Sequence, residues 1–445
     1  MILLHLALDD TDSHKGGCTT YVAGRLLKYL IDNYNVVFQD YPLLIRLNPN
    51  IPWKTRGNAA VCLRFELKIQ NLKTFYKRIT KFFDSIVKEG LPHSDPILIA
   101  LEGEIPQVFA EIYMAALRYP LNPRYIYSQV SQYCSFIHYY RSIRGIVGGV
   151  SAIGSLLLED HTYELIAYRK RENWGKPRKI NTLSVLEMDK ACSSQTFNNV
   201  DPETKRVLIA PHGPDPVLFG VRGESPSAVL KSLHFIKVEE PIDSWVIFRS
   251  NQGTGVHLPT HPVPISSLQL YQSVFIRGKI TQKPQIYKGG HVFFELSDHS
   301  GEIKCAAYEP TGSFREVVLK LKEEDVVSCY GGVQQDRYSN SYILNLEKLE
   351  VNYLTRKYVR RPPLCVNCGI RMTSRGLHQG YICKKCGAIS YAPDVVTVKR
   401  DLEPGIYLPP PRAHRHLSKP MKRYVFDSKK WRGFNPSFDW FHFPP

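Results

Sequence analysis

Asp9, Asp10 and Asp12 stand at the end of an apolar run, Ile2-Leu3-Leu4-His5-Leu6-Ala7-Leu8, and lead straight into Gly16-Gly17-Cys18-Thr19-Thr20. Carboxylates grouped in this way can share a hard cation: Mg2+ takes oxygen ligands, keeps several waters and completes its shell with substrate phosphates. Gly16 and Gly17 let the backbone come close to an anion. The Thr19-Thr20-Tyr21-Val22-Ala23-Gly24-Arg25-Leu26-Leu27 pattern then opens a helix whose first N–H groups would face that anion. Asp, Ser and Thr also favour solvated turns that cap helices, so an acidic cap with no ligand uses the same residue types.

The sharpest local signal is a pair of Cys-x-x-Cys-Gly knuckles, Cys365/Cys368 and Cys383/Cys386, separated by 14 residues. Each knuckle sets two thiolates on one side of a tight turn, and two knuckles complete a tetrahedral, closed and therefore structural Zn2+ site. Lys384, Lys385, Arg371 and Arg375 on the same loops favour contact with nucleic acid. The other six cysteines are scattered singly and read as small core residues of a protein in a reducing compartment.

These sites need a large frame. The 445 residues, 43% of them hydrophobic, suit roughly three domains. No run of about 18 apolar residues predicts a membrane span, and the N-terminal stretch lacks the basic start of a signal peptide, so a cytoplasmic location is expected. The net charge of +17 is concentrated in residues 351–445, with 18 Lys and Arg against 5 Asp and Glu. A basic region of this kind calls for a polyanionic partner, because neutralising phosphates releases counterions.

The apolar pattern predicts strands at Ile2–Leu8, Leu43–Leu47 and Ala59–Phe65 around a Thr19–Tyr34 helix. It then predicts a mostly helical stretch over 71–140, with Leu72, Phe75, Ile79, Phe82, Phe83 and Ile86 at helical spacing. Arg144–Gly154 reads as a small-residue helix start suited to close packing. Tyr163–Arg169 reads as a strand, and Val207–Pro211, Val217–Val221, Ala228–Phe235 and Trp245–Phe248 as a β-β-α-β unit of ferredoxin-like size. Five short strands over 268–352, with a helix-like Thr311–Lys320 between the third and fourth, predict an OB-fold. That small barrel binds single-stranded nucleic acid through basic and aromatic side chains. The tail from Arg400 onward mixes Pro409-Pro410-Pro411 with Arg412, His414, Arg415, His416 and Lys419 and with Trp431, Trp440 and Phe441; lacking periodicity, it is expected to order only on RNA.

Leu8-Asp9-Asp10-Thr11-Asp12-Ser13, Gly17-Cys18-Thr19-Thr20-Tyr21 and the run from Ile45 to Asn58 resemble the archaeal isoleucine-tRNA 2-agmatinylcytidine synthetase family. So do Gln195–Asp201, Pro214–Ser225 and Arg415-His416-Leu417-Ser418-Lys419-Pro420, and the similarity spans nearly the whole chain. One departure is Ala59-Ala60, where the family commonly has a further glycine. The resemblance implies a multidomain α+β protein. Its expected parts are a kinase-like, ATP-binding α/β catalytic domain over 1–200, a ferredoxin-like domain over 201–266, an OB-fold β-barrel over 267–355, a zinc ribbon over 356–400 and a basic, aromatic C-terminal tail over 401–445.

It also implies a reaction. ATP and agmatine would convert the cytidine at the first anticodon position of an isoleucine tRNA into 2-agmatinylcytidine, allowing AUA decoding, with ATP ending as AMP and two phosphates. Phosphorylating the cytosine O2 would create a leaving group that an amine can displace. No GxxxxGK[ST] loop is present, so Gly16, Gly17 and Thr20 would cradle phosphates. Asp9, Asp10 and Asp12 would hold Mg2+, and Thr19 matches the family threonine that becomes autophosphorylated. Lys54, Arg56 and Asn58 would contact phosphate or base. Agmatine carries two positive charges and needs carboxylates, with Asp215 first choice and Asp201 and Glu224 behind it. Two rival readings are a noncatalytic tRNA- or single-strand-binding protein, which has no need of the aspartate loop, and a metal nuclease, which has no need of ATP.

Overall fold

The computed structural model describes residues 1–13, 17–55, 57–88, 90–336, 339, 341–425, 430–431 and 433–444. Gly16 and Arg56, both singled out above, lie outside the described residues.

Strand β1 (Ile2–Asp9) is an almost wholly apolar run, broken by His5 and ending in Asp9, and it takes an interior place in a sheet where both faces are covered. Helix α1 (Thr19–Asn33) follows; the Cys18 thiol caps it by accepting the Tyr21 N–H. Next come β2 (Val36–Phe38), β3 (Leu43–Arg46), β4 (Ala59–Leu67) and α2 (Leu72–Val87), the last capped by Asn71 and burying Phe75, Ile79 and Phe83. The stretch 71–140, expected to be mostly helical, also contains strands. β5 (Ile97–Glu102) and β6 (Phe136–Tyr139) flank α3 (Gln107–Ala116) and α4 (Pro123–Val130). Ile97-Leu98-Ile99-Ala100-Leu101 is buried on both faces, so it carries no polar alternation by which to recognise a strand.

The small-residue segment forms α5 (Ile146–Gly154), packed on α3 and over β1 and β4. Its glycines decide how close it comes. A Cβ at Gly154 would lie 2.1 Å from the Phe109 carbonyl oxygen, and one at Gly148 would lie 1.9 Å from Asp9 Oδ2.

The chain continues through β7 (Thr162–Arg169), α6 (Thr182–Cys192), β8 (Thr196–Phe197), β9 (Val217–Gly223), α7 (Pro226–Leu233) and β10 (Ile242–Ser250). Residues 207–211, expected as a strand, make only a single bridge between Val207 and Val200. The strands merge into one sheet in the order β6-β5-β1-β4-β3-β10-β7-β9-β8, with β2 added on β4. All neighbours are antiparallel except β3 and β10, which pair in parallel through Leu43 and Leu44 opposite Arg249 and Ser250.

The expected five-stranded barrel is present as β11 (Ser273–Ile286), β12 (Val292–Ser297), β13 (Glu302–Ala307), β14 (Val326–Gln335) and β15 (Tyr342–Tyr353). Helix α8 (Ser313–Leu319) lies between the third and fourth strands. Parallel pairing of β13 with β15 closes the barrel around Val274, Phe294, Leu296, Val327 and Leu344. The ribbon stands on a two-stranded stalk, β16 (Lys357–Arg361) paired with β20 (Asp394–Val398). It carries the short strands β17 (Thr373–Ser374), β18 (Tyr381–Ile382) and β19 (Ile389–Ser390).

The tail departs from expectation, because it is folded onto the protein through contacts of its own. β21 (Gly405–Tyr407) adds to the barrel on β15, and β22 (Phe441–His442) adds to the main sheet on β10. Leu417 and Trp440 are buried in the two cores on either side of that sheet. Arg423 is buried as well, with its guanidinium on Asp160 and Glu224 (2.7 Å each). Among the described residues, no helix is long and apolar enough to cross a membrane.

Because the Phe109 contact is with backbone, Gly154→Ala cannot be absorbed by a side-chain rotation. The expected result is a loss of about 1–3 kcal/mol, the range for overpacked cores, seen as a lower denaturant midpoint with the slope unchanged.

Candidate functional site

Burial of the strand that delivers them sets the state of the first two carboxylates. Asp9 accepts the Asp10 N–H at 2.6 Å and fills the space left by Gly148. Burial, reinforced by the neighbouring Asp10 charge, holds its carboxyl well above the usual range. Asp10 adopts a left-handed backbone (φ +56°), which turns the chain after β1. One of its oxygens takes both Arg144 Nε (3.0 Å) and Nη2 (2.6 Å). The other, Oδ1, is buried without a hydrogen-bond partner among the described residues. Burial outweighs the Arg144 charge and lifts Asp10 to about 6.

Asp12 turns the other way. Its carboxylate accepts the Thr19 N–H at 3.2 Å, at the start of α1, and Thr11 Oγ1 donates to Thr19 Oγ1 at 3.2 Å. The loop therefore serves two cavities. Asp9 and Asp10 line a small one of about 70 Å³ together with Trp53, Lys54, Asn58 and Arg144. Asp12, Thr19 and Thr20 line a larger one of about 300 Å³. Gly17, at φ +83°, turns the chain into α1, a conformation that a residue with a Cβ would resist.

Across the larger cavity stand groups from the other half of the sheet: Glu164 on β7, Gly220 and Arg222 on β9, and Asp215 just before β9. Glu164 is buried and accepts Arg222 Nε at 3.1 Å and the Gln252 amide. Asp215 is buried against Arg178 Nη2 (3.1 Å) and the Val217 N–H (3.2 Å). Asp201 and Glu224 lie outside this lining. Asp201 is held by Arg412 at 2.9 Å and by the Thr204 N–H, and Glu224 by Arg423 at 2.7 Å. Asn58 (φ +50°) donates to the Asn48 carbonyl at 3.0 Å, and Lys54 donates to the Ile51 carbonyl at 3.0 Å.

Four lining residues had been given no role in the site from the sequence: Arg46, Arg222 and His416, which stood only within family motifs, and Glu164. Glu164 had a readable signal, a carboxylate inside the strand Thr-Tyr-Glu-Leu-Ile-Ala-Tyr-Arg, every residue of which is buried. His416 stood in the motif Arg415–Pro420, but nothing local in the tail tied that motif to this cavity.

The four ribbon sulfurs all lie within 4.8 Å of one another, with Cys365 and Cys386 Sγ 3.5 Å apart, so the donor set fits a tetrahedral Zn2+. Among the described residues no other group brings three or more such ligand atoms together. The three aspartates thus do not converge on one point. What fits Mg2+ is the Asp9–Asp10 pair, two buried carboxylates with one orphaned oxygen, leaving the remaining positions to water and phosphates.

Family models match four stretches: the TiaS TCKD domain over residues 5–118, the TiaS FLD domain over 144–257, an OB-fold nucleic acid binding domain over 274–352 and the TiaS C-terminal zinc ribbon domain over 362–402. The tRNA(Ile2) 2-agmatinylcytidine synthetase TiaS of Pyrococcus horikoshii is 39% identical over 424 residues, covering 94% of this chain and 97% of its own. The chain belongs to the TiaS family. A solved TiaS–tRNA(Ile2)–ATP complex is similar with a TM-score of 0.81 and 34% identity, over 98% of this chain and 99% of that one. A TiaS–tRNA(Ile2)–AMPCPP–agmatine complex is similar with a TM-score of 0.79 and 32% identity, over 95% and 98%.

Asp10 yields a pH test. Its folded pKa lies above the unfolded value, so ionising it costs stability as pH rises through about 6. A divalent cation binds only the ionised form. Mg2+ at ten times its dissociation constant should therefore stabilise the protein by about 1.4 kcal/mol at pH 7.5 and by much less at pH 5. Thermal melts with and without Mg2+ check this, and Asp10→Asn should abolish the difference.

Proposed function

We propose that the chain is an ATP-dependent ligase that joins agmatine to C2 of the cytidine at the first anticodon position of an isoleucine tRNA. It would act in the cytoplasm, use Mg2+ for the phosphates and keep its ribbon folded with Zn2+. The observation that carries this reading is the larger cavity, where Asp12, Thr19 and the first turn of α1 face the carboxylates Glu164 and Asp215. A phosphoryl group and a cationic amine need opposite surroundings, and here they stand on facing walls. The TiaS relative and the two complexes described above supply the substrate identities.

Asp9 and Asp10 hold the metal, which neutralises charge on the phosphates when bound. Asp12 orients the N-terminus of α1 and with it Thr19, whose hydroxyl stands ready to meet a phosphoryl group. Gly17 and Thr20 complete the phosphate side, and Asn58 holds the turn that carries Lys54 to its own phosphate contact at the rim. Once the cytosine O2 is phosphorylated, the agmatine amine attacks C2, the C–O bond breaks and phosphate leaves with that oxygen. Asp215, with Glu164 beside it, receives the guanidinium end. Asp201 and Glu224 serve by binding Arg412 and Arg423, which hold the tail against the cavity.

AMP should be released from ATP only when tRNA and agmatine are both present; release without either would overturn the reading, as would RNA cleavage. Asp215→Asn should raise the agmatine concentration for half-maximal rate about tenfold, equivalent to about 1.4 kcal/mol, with tRNA affinity unchanged. A steady-state agmatine titration at saturating ATP and tRNA measures it, and an unaltered half-saturation point would leave Glu164 as the guanidinium partner.

A further inference from the structure

A third cavity, of about 350 Å³, lies between the other two. It shares Lys54 and Leu47 with the Asp9–Asp10 cavity, and Arg46, Gly57 and His416 with the Asp12–Thr19 cavity. Its polar lining is Arg46, Lys54, His414, Arg415 and His416, with no carboxylate. Like charges so placed repel one another unless an anion joins them.

The individual groups are short of partners. Arg46 Nε is buried without a hydrogen bond among the described residues. Among the described residues the exposed Arg415 guanidinium makes no ion pair, and Glu347, whose charge reaches it, is committed to His257 at 2.9 Å. Burial and the Arg415 charge both lower the Lys54 pKa. The Arg46 charge and burial hold His416 well below its usual value, so its ring is neutral at pH 7. Arg222 Nη2 lies 3.1 Å from His416 Nδ1, and arginine can only donate, so Nδ1 accepts and Nε2 carries the proton. Nε2 points over Gly57, where a Cβ would come within 2.8 Å. The cavity thus offers three cations and a neutral N–H donor, the set that suits phosphate.

Its position identifies the source of that phosphate. The loop between β3 and β4, which forms one rim, is docked on the OB-fold. Asn48 Nδ2 donates to the Tyr271 carbonyl (2.8 Å), Asn50 Nδ2 donates to Ser273 Oγ (2.9 Å), and the half-exposed Trp53 ring meets Tyr271 at 5.6 Å. A strand leaving the OB-fold for Thr19 passes this rim, whereas nucleotide phosphates are already placed by the aspartates and α1. We propose that the Arg46–Lys54–Arg415–His416 cavity is a phosphate subsite that seats a phosphodiester of the RNA strand beside the reacting nucleotide. The proposal rests on the tRNA-modifying reading given above.

The test is direct equilibrium binding with the full-length protein, read without turnover. Arg415→Gln should weaken isoleucine tRNA binding about tenfold at physiological salt. It should also reduce the slope of log affinity against log salt by about 0.7–0.9, the loss of one phosphate contact. Arg415→Lys should recover most of both, and ATP binding without RNA should be unchanged in either variant. Unchanged tRNA affinity and slope would overturn the proposal. So would weakened ATP binding with intact tRNA binding, which would give the cavity to nucleotide phosphates. Failure of the wild-type protein to attach agmatine would instead sink the function while leaving these binding results interpretable.

Discussion

The parallel junction of β3 with β10 is the constraint on which the rest of the structure depends. Only this pairing joins the half of the sheet that delivers Asp12 and Thr19 to the half that delivers Glu164 and Arg222. It is short, and a buried cation secures it. Arg249, on β10, makes a two-pronged pair with Asp40 (Nε to Oδ1 at 3.0 Å), donates to the Leu157 carbonyl at 2.8 Å and lies 3.8 Å from the centre of the Trp431 ring. Removing one member of such a buried pair strands the other charge, which typically costs about 3–5 kcal/mol. Strand register and site geometry therefore fail together.

The same economy governs the acidic residues of the second half. Asp201, Asp215 and Glu224 look alike in sequence, each in a polar or proline-bounded stretch. In the structure Asp201 and Glu224 have arginines from the tail as partners, and Asp215 has Arg178 from nearby in its own half. A carboxylate buried at these positions is kept by its cation. Which of them faces a ligand depends on whether any face of the carboxylate still borders a cavity.

Much of this was legible in the sequence where the signal was local. The aspartates and the start of α1 sit within a dozen residues, the cysteine knuckles within twenty-two, and the barrel strand β12 alternates cleanly. Legibility failed where the cause was distant. β5 is apolar on both faces, so nothing in Ile97–Leu101 separates strand from helix. The tail was read as dependent on RNA because its contacts, Arg412 with Asp201 and Arg423 with Glu224, span 211 and 199 residues. The place of His416 in the site was illegible for the same reason, although its motif was not. The division of the aspartate loop between two cavities follows from a single left-handed residue, Asp10, which no composition rule distinguishes from its neighbours.

The path of the tail also has a bearing on biosynthesis. The segment from Arg412 to Arg423, which walls two of the three cavities with His416, is translated after the OB-fold and the ribbon, yet it returns to strands made far earlier. Contacts of such long sequence separation form late and slowly. A nascent chain already holding its aspartate loop, its barrel and its four ribbon cysteines would still present an open site, so competence waits until the segment from Arg412 to Arg423 has been made. Ribosomes that stall beyond the ribbon would release a folded but incomplete product, able to carry zinc and unable to close around its substrates.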